Sequence, residues 1–293
     1  MPELPEVEVT RRRIEPLLVG RRITRVHTSR PSYFFLTPPA RLRRSLEGRS
    51  LGGLERVGKY LLAEVEGGSR LLLHLGMTGQ LFADGVSSVR LLSASRRAAL
   101  APEEQLGARF EPDRHTHLRL EFADAGPGVV FRDVRKFGKV QLLAPGERSE
   151  RLDKLGTDAL AITGAALFAA TRGRRAPIKT LLLDQAIVAG TGNIYADEAL
   201  FLAGVRPTRP AGRVTRAECD RVAAGVQQVM LRSIETGGSS ISDYVAPDGA
   251  DGGYQDERRV YARTGEPCPR CGAKIRRRVL GQRSAHWCPA CQR

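Results

Sequence analysis

Two groups of residues could carry chemistry, one near each end of the sequence. The chain opens MPELPEVE. A small residue behind the initiator methionine favours its removal, which would expose Pro2 as a secondary amine beside the Glu3 carboxyl. Two readings of this stretch stand. One is an ordinary helix start, with Pro5 at the first helical position and Glu6 and Glu8 placed for the macrodipole. The other is a nucleophile beside an acid. The second group is Cys268-x2-Cys271-x16-Cys288-x2-Cys291. Two CxxC knuckles at this separation suit a tetrahedral four-thiolate Zn2+ site. No position is left for water, so the site is structural, and the intervening stretch suits a hairpin. A module with so little core needs the metal to fold. The fifth cysteine, Cys219, falls on the apolar stripe of a helix and reads as a buried thiol.

The elements that must position these groups differ between the two halves. Residues 5–18 place Val7, Ile14, Leu17 and Leu18 on one helical face. From Arg21 to Leu143 short β-prone runs follow: KYLLAEVE, SRLLLHLG, HLRLEFA, GVVFRDV and KVQLL, each bounded by Gly, Asp or Pro. Their spacing predicts an antiparallel sandwich or barrel. Residues 83–113 interrupt them with a Ser-, Ala- and Arg-rich stretch of no clear period, expected to be a long, partly disordered loop. After APGERSE, residues 144–150, the texture turns helical, in TGAALFAAT, PIKTLLLDQ and NIYADEALFLAG. The strongest helix follows Thr215, which with Glu218 forms a capping box. Cys219, Val222, Val226, Val229 and Met230 make its stripe, and Gly237-Gly238 end it. Residues 237–256 are Gly- and Asp-rich and read as a loop.

Charge narrows the partners. Lys and Arg number 47 against 32 Asp and Glu, a formal net charge of +15. That balance favours a polyanion. The terminal module carries Arg270, Lys274, Arg276, Arg277, Arg278, Arg283 and Arg293 with no acid from 268 to 293, which points to phosphate. It lacks the apolar partner face of a membrane-surface element. No apolar run approaches the roughly 18 residues of a membrane span. The start lacks a basic stretch followed by an apolar core, so a cytosolic protein is expected, with thiols rather than disulfides.

Six stretches occur in fixed order: PELPEVE, GKYLL at 58–62, HLGMTGQL at 74–81, RDVRKFG at 132–138, GTGNIYADEALF at 190–201, and the closing GEPCPRCGAKIRRRVLGQRSAHWCPACQ. Together they resemble the bacterial formamidopyrimidine-DNA glycosylase family over nearly the whole chain except 83–113. The resemblance implies that Pro2 attacks C1′ of a damaged nucleoside, with Glu3 as the acid at the sugar ring oxygen. It implies that Lys59 contacts phosphate and assists β-elimination, and that Arg283 clamps the lesion phosphate and assists δ-elimination. Met77, Arg135 and Phe137 match the residues that fill the gap left by an everted base. Here the sequence departs from the usual Asp-Pro-Arg-Arg-Phe, reading Asp-Val-Arg-Lys-Phe at 133–137, so the loop loses a stiff residue. Asn193 reads as a simple N-cap; the resemblance adds a phosphate held there by the helix N-terminus. His115 and Arg174 align with DNA contacts, Arg175 being the alternative if the register shifts by one.

The expectation is thus an α+β multidomain protein. Residues 2–145 form an antiparallel β-sandwich with a flanking helix, with 83–113 a flexible insertion. Residues 146–240 form a helix–two-turns–helix domain, 241–258 a lesion-side loop or linker, and 259–293 a β-hairpin zinc finger. The expected function is a bifunctional glycosylase and AP lyase for oxidised purines in damaged double-stranded DNA. One structural Zn2+, no organic cofactor, no membrane and a monomeric state are expected. Two alternatives remain: an endonuclease VIII-like glycosylase for oxidised pyrimidines, whose branch typically begins Pro-Glu-Gly-Pro, and a zinc-finger DNA-binding protein without catalysis. Retention of Pro2, Glu3, Lys59 and Arg283 disfavours the latter.

Overall fold

Alternation of apolar and polar side chains organises the first half of the chain into two layers. The computed structural model describes residues 2–92, 94–240 and 244–293. Met1, Ser93 of the insertion and 241–243 of the lesion-side loop lie outside the described residues. Two compact units result, Met1–Ser149 with Thr236–Gly253, and Glu150–Glu235 with Tyr254–Arg293.

The first unit runs α1 (Leu4–Leu18), β1 (Ile23–Thr28), α2 (Pro39–Leu46), β2 (Leu51–Val57), β3 (Tyr60–Val65), β4 (Ser69–His74), β5 (Gly79–Ala83), α3 (Ala94–Ala99), α4 (Pro102–Gly107), β6 (Thr116–Phe122), β7 (Val129–Asp133) and β8 (Lys139–Leu143). Two four-stranded antiparallel sheets, β1-β6-β7-β5 and β2-β3-β4-β8, make the sandwich. Their inner faces share a core that includes Ile23, Leu61, Leu71, Leu118 and Phe131, which Val7, Ile14 and Leu18 of α1 also enter.

Strand β7 is buried along its whole length. Successive strand residues point to opposite faces, so Val129 and Phe131 face the main core while Val130 faces a second cluster with Phe82, Leu91, Phe110 and Val245. This corrects the expectation for 83–113. Among its described residues the segment forms α3 and α4, and Leu91 and Phe110 cover the outer face of β5 and β7. Its anchors are too widely spaced to show a period. The stretch 236–253 belongs to the same unit: Ala83 N–H donates to the Pro247 carbonyl (3.1 Å), and Arg13 and Arg90 pair with Asp248 (2.7 Å) and Asp251 (2.6 Å).

The second unit runs α5 (Glu150–Asp153), β9 (Thr157–Asp158), α6 (Gly164–Thr171), α7 (Ile178–Leu183), β10 (Val188–Ala189), α8 (Asn193–Ala203), α9 (Arg216–Glu235), β11 (Arg276–Leu280) and β12 (Arg283–Trp287). The Thr215–Glu218 box caps α9: the Thr215 N–H donates to Glu218 Oε2 (2.8 Å), and the Glu218 N–H donates to Thr215 Oγ1 (3.3 Å). The expected stripe of α9, including Cys219, is buried. β11 and β12 form an antiparallel hairpin whose small core joins Val260, Cys268, Ile275 and Cys288 to Phe201 of α8.

Candidate functional site

The chain start is fixed by helix-end chemistry. The first N–H groups of a helix lack intrahelical acceptors. Glu6, in the first turn of α1, accepts the Glu3 N–H at 2.8 Å through one oxygen and the Ser239 N–H at 2.9 Å through the other. Glu3 is the N-cap in extended backbone and is buried, as is Pro2. Pro2 and the Glu3 carboxyl therefore stand together at the electropositive end of a helix of 15 residues. In sequence Glu6 shows only a first-turn acid suited to the macrodipole. Its reach to residue 239 has no sequence signal.

Lys59 corrects one expectation. It is not in a strand but is the second residue of the two-residue turn between β2 and β3, where Val57 pairs with Tyr60. Gly58 takes φ +57, as a tight hairpin with glycine at its first central position requires. The turn holds Lys59 buried at 8 % exposure.

Met77 and the Arg135–Phe137 pair stand on two adjoining loops of this unit. A Cβ on Gly76 would come within 2.5 Å of the Phe137 backbone, so the loops meet main chain to main chain. The fully buried Asp133 ties them. Its Oδ1 accepts from Thr78 Oγ1 (2.5 Å) and the Arg135 N–H (3.2 Å), and its Oδ2 from the Gly138 N–H (2.7 Å). Arg135 is exposed with its guanidinium 4.6 Å from the Phe137 ring centroid, and Phe137 is 42 % exposed. An exposed phenyl ring in a polar loop is not a core residue. Nearby, His115 is half-buried and its Nε2 faces Arg114 Nε at 3.2 Å. Burial, opposed by Asp113, holds its pKa below the ordinary histidine value. His117 is buried between Ser29 Oγ (3.0 Å) and the Asp133 carbonyl (2.9 Å), and burial lowers its pKa too.

In the second unit Gly192 is the N-cap of α8, not Asn193, which is the first helical residue. Asn193 Nδ2 donates to Ser284 Oγ at 3.3 Å, and its buried Oδ1 has no hydrogen-bond partner among the described residues. Arg174 and Arg175 are both exposed. The Arg174 backbone is held on each side, its N–H by the Thr171 carbonyl (3.2 Å) and its C=O by the Gly212 N–H (2.9 Å). Arg283 is exposed directly after the hairpin turn, where Gly281 and Gln282 take φ of +51 and +66. Positive φ at both central residues is the I′ geometry that matches strand twist.

A buried polar network fixes that hairpin. Asp197 of α8 forms an ion pair with Lys179 Nζ (2.6 Å) through Oδ1, and its Oδ2 meets the His286 N–H and Nδ1 (2.9 and 3.0 Å). Lys179 also donates to the Ser284 carbonyl at 2.5 Å. Glu198 accepts the N–H groups of Arg259, Val260 and Tyr261 at 2.9–3.1 Å, although burial raises its pKa. A lone lysine in the apolar run PIKTLLLD is the one sequence signal for this network.

The four cysteines hold one structural zinc. Their Sγ atoms all lie within 4.8 Å of one another, with separations of 3.9 Å (Cys268–Cys291), 3.5 Å (Cys271–Cys288) and 3.5 Å (Cys271–Cys291). A tetrahedron with Zn–S of about 2.3 Å has edges of about 3.8 Å. The N–H groups of Arg270 and Cys291 lie 3.4 Å from the sulfurs of Cys268 and Cys288 and stabilise thiolates there.

Sandwich, helical body and four-cysteine hairpin are each matched by a family model. Residues 1–140 match the formamidopyrimidine-DNA glycosylase N-terminal domain, 155–245 the H2TH domain of the same proteins, and 265–293 a zinc finger found in FPG and IleRS. The chain belongs to the formamidopyrimidine-DNA glycosylase family. It is 42% identical over 303 aligned residues to the formamidopyrimidine-DNA glycosylase of Cereibacter sphaeroides, covering 100% of both chains. A Lactococcus lactis FPG mutant solved with Fapy-dG containing DNA superposes with a TM-score of 0.84 at 31% identity, covering 100% of both. A MutM solved with carbocyclic 8-oxo-G containing DNA gives the same TM-score, identity and coverage.

Proposed function

We propose that this chain is a base-excision repair enzyme that removes oxidised purines, 8-oxoguanine and formamidopyrimidines, from duplex DNA and then cleaves the strand. Family membership and the lesions bound by the Lactococcus and MutM relatives support the substrate class. The observation that carries the chemistry is the buried pairing of Pro2 and Glu3 at the start of α1.

With Met1 removed, the Pro2 nitrogen is a secondary amine. A free α-amine has a pKa of about 8, and the helix end lowers it further, so a usable fraction is neutral at pH 7. The base leaves the stack before the amine can reach the sugar. The nitrogen lone pair attacks C1′, the glycosidic bond breaks, and the base departs with its electron pair and the proton that the amine nitrogen gives up. Glu3 gives a proton to the ring oxygen as the sugar opens, leaving an iminium that is cationic without protonation. That sink acidifies C2′. Loss of the C2′ proton expels the 3′-phosphate, and a second elimination expels the 5′-phosphate. Lys59 contacts phosphate and assists the first elimination. Arg283, permanently charged, clamps the lesion phosphate through the second.

Met77 and Phe137 fill the vacated stack, and Arg135 donates to the cytosine left opposite. Asn193 with the α8 N-terminus, His115 and Arg174 hold backbone phosphates. Zinc takes no part in bond making and shapes the hairpin that carries Arg283. We extend the proposal to a cytoplasmic monomer without organic cofactor.

Parallel incision of duplexes carrying 8-oxoguanine, formamidopyrimidine or thymine glycol tests the substrate class. Preference for the two purine lesions is expected. Preference for thymine glycol assigns the chain to the oxidised-pyrimidine branch, and binding without incision of any duplex refutes the enzyme.

A further inference from the structure

The loop bearing Arg135 is held in an unfavourable backbone. Lys136 takes φ +58, in the left-handed region that a side chain disfavours. Such a residue persists only where its surroundings over-determine it. On the N–H side of Arg135 the holders are buried: Thr78 Oγ1 accepts at 3.1 Å and Asp133 Oδ1 at 3.2 Å. On the carbonyl side the holder is Tyr33, whose hydroxyl donates to the Arg135 carbonyl at 3.0 Å from over a hundred residues away in sequence. Tyr33 is 59 % exposed, and Lys139 Nζ sits 4.9 Å from its ring centroid while donating to the Gly138 carbonyl. An aromatic ring left in solvent and steadied by a cation contributes little to the fold. What its hydroxyl does is fix the carbonyl of one exposed arginine. The neighbouring position 134 holds valine, which leaves φ free where a proline would lock it.

The geometry points to Tyr33 as a positioning residue that sets opposite-base discrimination: its hydroxyl holds the Arg135 carbonyl in place of the stiffness that a proline at 134 would supply. This rests on the reading of Arg135 as the contact to the orphaned base. Tyr33 acts through Arg135 and takes no part in bond breaking. Asp133 lies in a strand, the extended conformation that a residue before proline requires, so a proline at 134 meets no restriction from the residue ahead of it.

The test compares incision of 8-oxoguanine opposite cytosine with incision opposite adenine, as a ratio of kcat/KM, in wild type, Tyr33→Phe, Tyr33→Phe with Val134→Pro, and Arg135→Ala. Phenylalanine keeps the ring and removes only the hydroxyl at an exposed position, so the variant folds. In Tyr33→Phe the ratio is expected to fall by about three- to tenfold, the range one net hydrogen bond commands. Adding Val134→Pro is expected to restore it to within about twofold, less than the effect of a single such bond. A wild-type ratio in Tyr33→Phe, alongside a collapsed ratio in Arg135→Ala, overturns the role of Tyr33 and leaves Arg135 intact. A fall that proline does not restore means that Tyr33 acts by another route, and also overturns the inference. An unchanged ratio in Arg135→Ala removes the reading of Arg135 as the contact to the orphaned base, and this inference with it.

Discussion

Asp197→Asn is the sharpest probe of how the zinc hairpin is held. The carboxylate is fully buried and uses both oxygens, Oδ1 for Lys179 Nζ at 2.6 Å and Oδ2 for the His286 N–H and Nδ1 at 2.9 and 3.0 Å. Asparagine keeps the shape but offers one acceptor and one NH2 donor. If its oxygen faces Lys179, its NH2 faces the His286 N–H; if it flips, the NH2 faces an ammonium. Either way one donor meets another, and Lys179, only 1 % exposed, loses its carboxylate. Removing one partner of a buried ion pair costs about 3–5 kcal/mol. With m near 2 kcal/mol per M of urea, the unfolding midpoint of this unit falls by about 2 M. The assay is urea denaturation followed by Trp287, the chain's single tryptophan, which ends β12. Lys179→Met added to Asp197→Asn is expected to recover at least about 1 kcal/mol, because the buried charge is then gone as well. A single variant within about 0.5 kcal/mol of wild type, or a double variant that simply adds the two losses, would refute the network as the anchor of the hairpin.

Three further outcomes are expected. Chelation of zinc abolishes incision and melts the hairpin but leaves the sandwich folded, since that unit has its own core; circular dichroism showing loss of both units contradicts this. Acidification weakens the first unit through His117. Burial holds its folded pKa below the ordinary value, so the unfolded chain binds the proton first, near 6.5. Stability is therefore full above that pH and falls as pH drops below it, until the folded pKa is passed. His115 acts in the same direction. His117→Asn should flatten the dependence between pH 7 and the folded pKa, and an unaltered slope rules His117 out. Glu6→Gln, which keeps one carbonyl acceptor of the two now used by Glu3 and Ser239, should lower kcat on 8-oxoguanine duplexes by about tenfold, near 1.4 kcal/mol of barrier; full activity there frees Glu6 of any role in setting Pro2 and Glu3.

Much of this arrangement is legible in sequence where one local rule decides. The zinc ligands follow from knuckle spacing, the cap of α9 from Thr215 and Glu218, and its buried stripe from helical period. Five strand runs announced the sandwich. The runs at 23–28, 51–57 and 79–83 did not, because Arg, Gly and Gln break their patterns. Helix α2, PARLRRSL, leaves no clear apolar stripe in sequence, because basic residues outnumber its buried Leu42 and Leu46. Lys59 reads as a strand residue until the turn geometry of Gly58 is seen. The ties made by Asp133, Glu6 and Asp197 join residues far apart in the chain, and no spacing rule encodes which distant N–H a carboxylate will meet. The residues proposed to meet DNA are marked by motif resemblance and not by period, since turns and element ends carry none.

The most direct measurement is borohydride trapping of the protein on an 8-oxoguanine duplex, followed by peptide mapping of the adduct. Reduction of the iminium is expected to leave the DNA covalently attached to the nitrogen of Pro2, and protein retaining Met1 is expected to give no adduct, because an amide nitrogen has no usable lone pair. An adduct on Lys59, or trapping that survives retention of Met1, would contradict a terminal proline nucleophile.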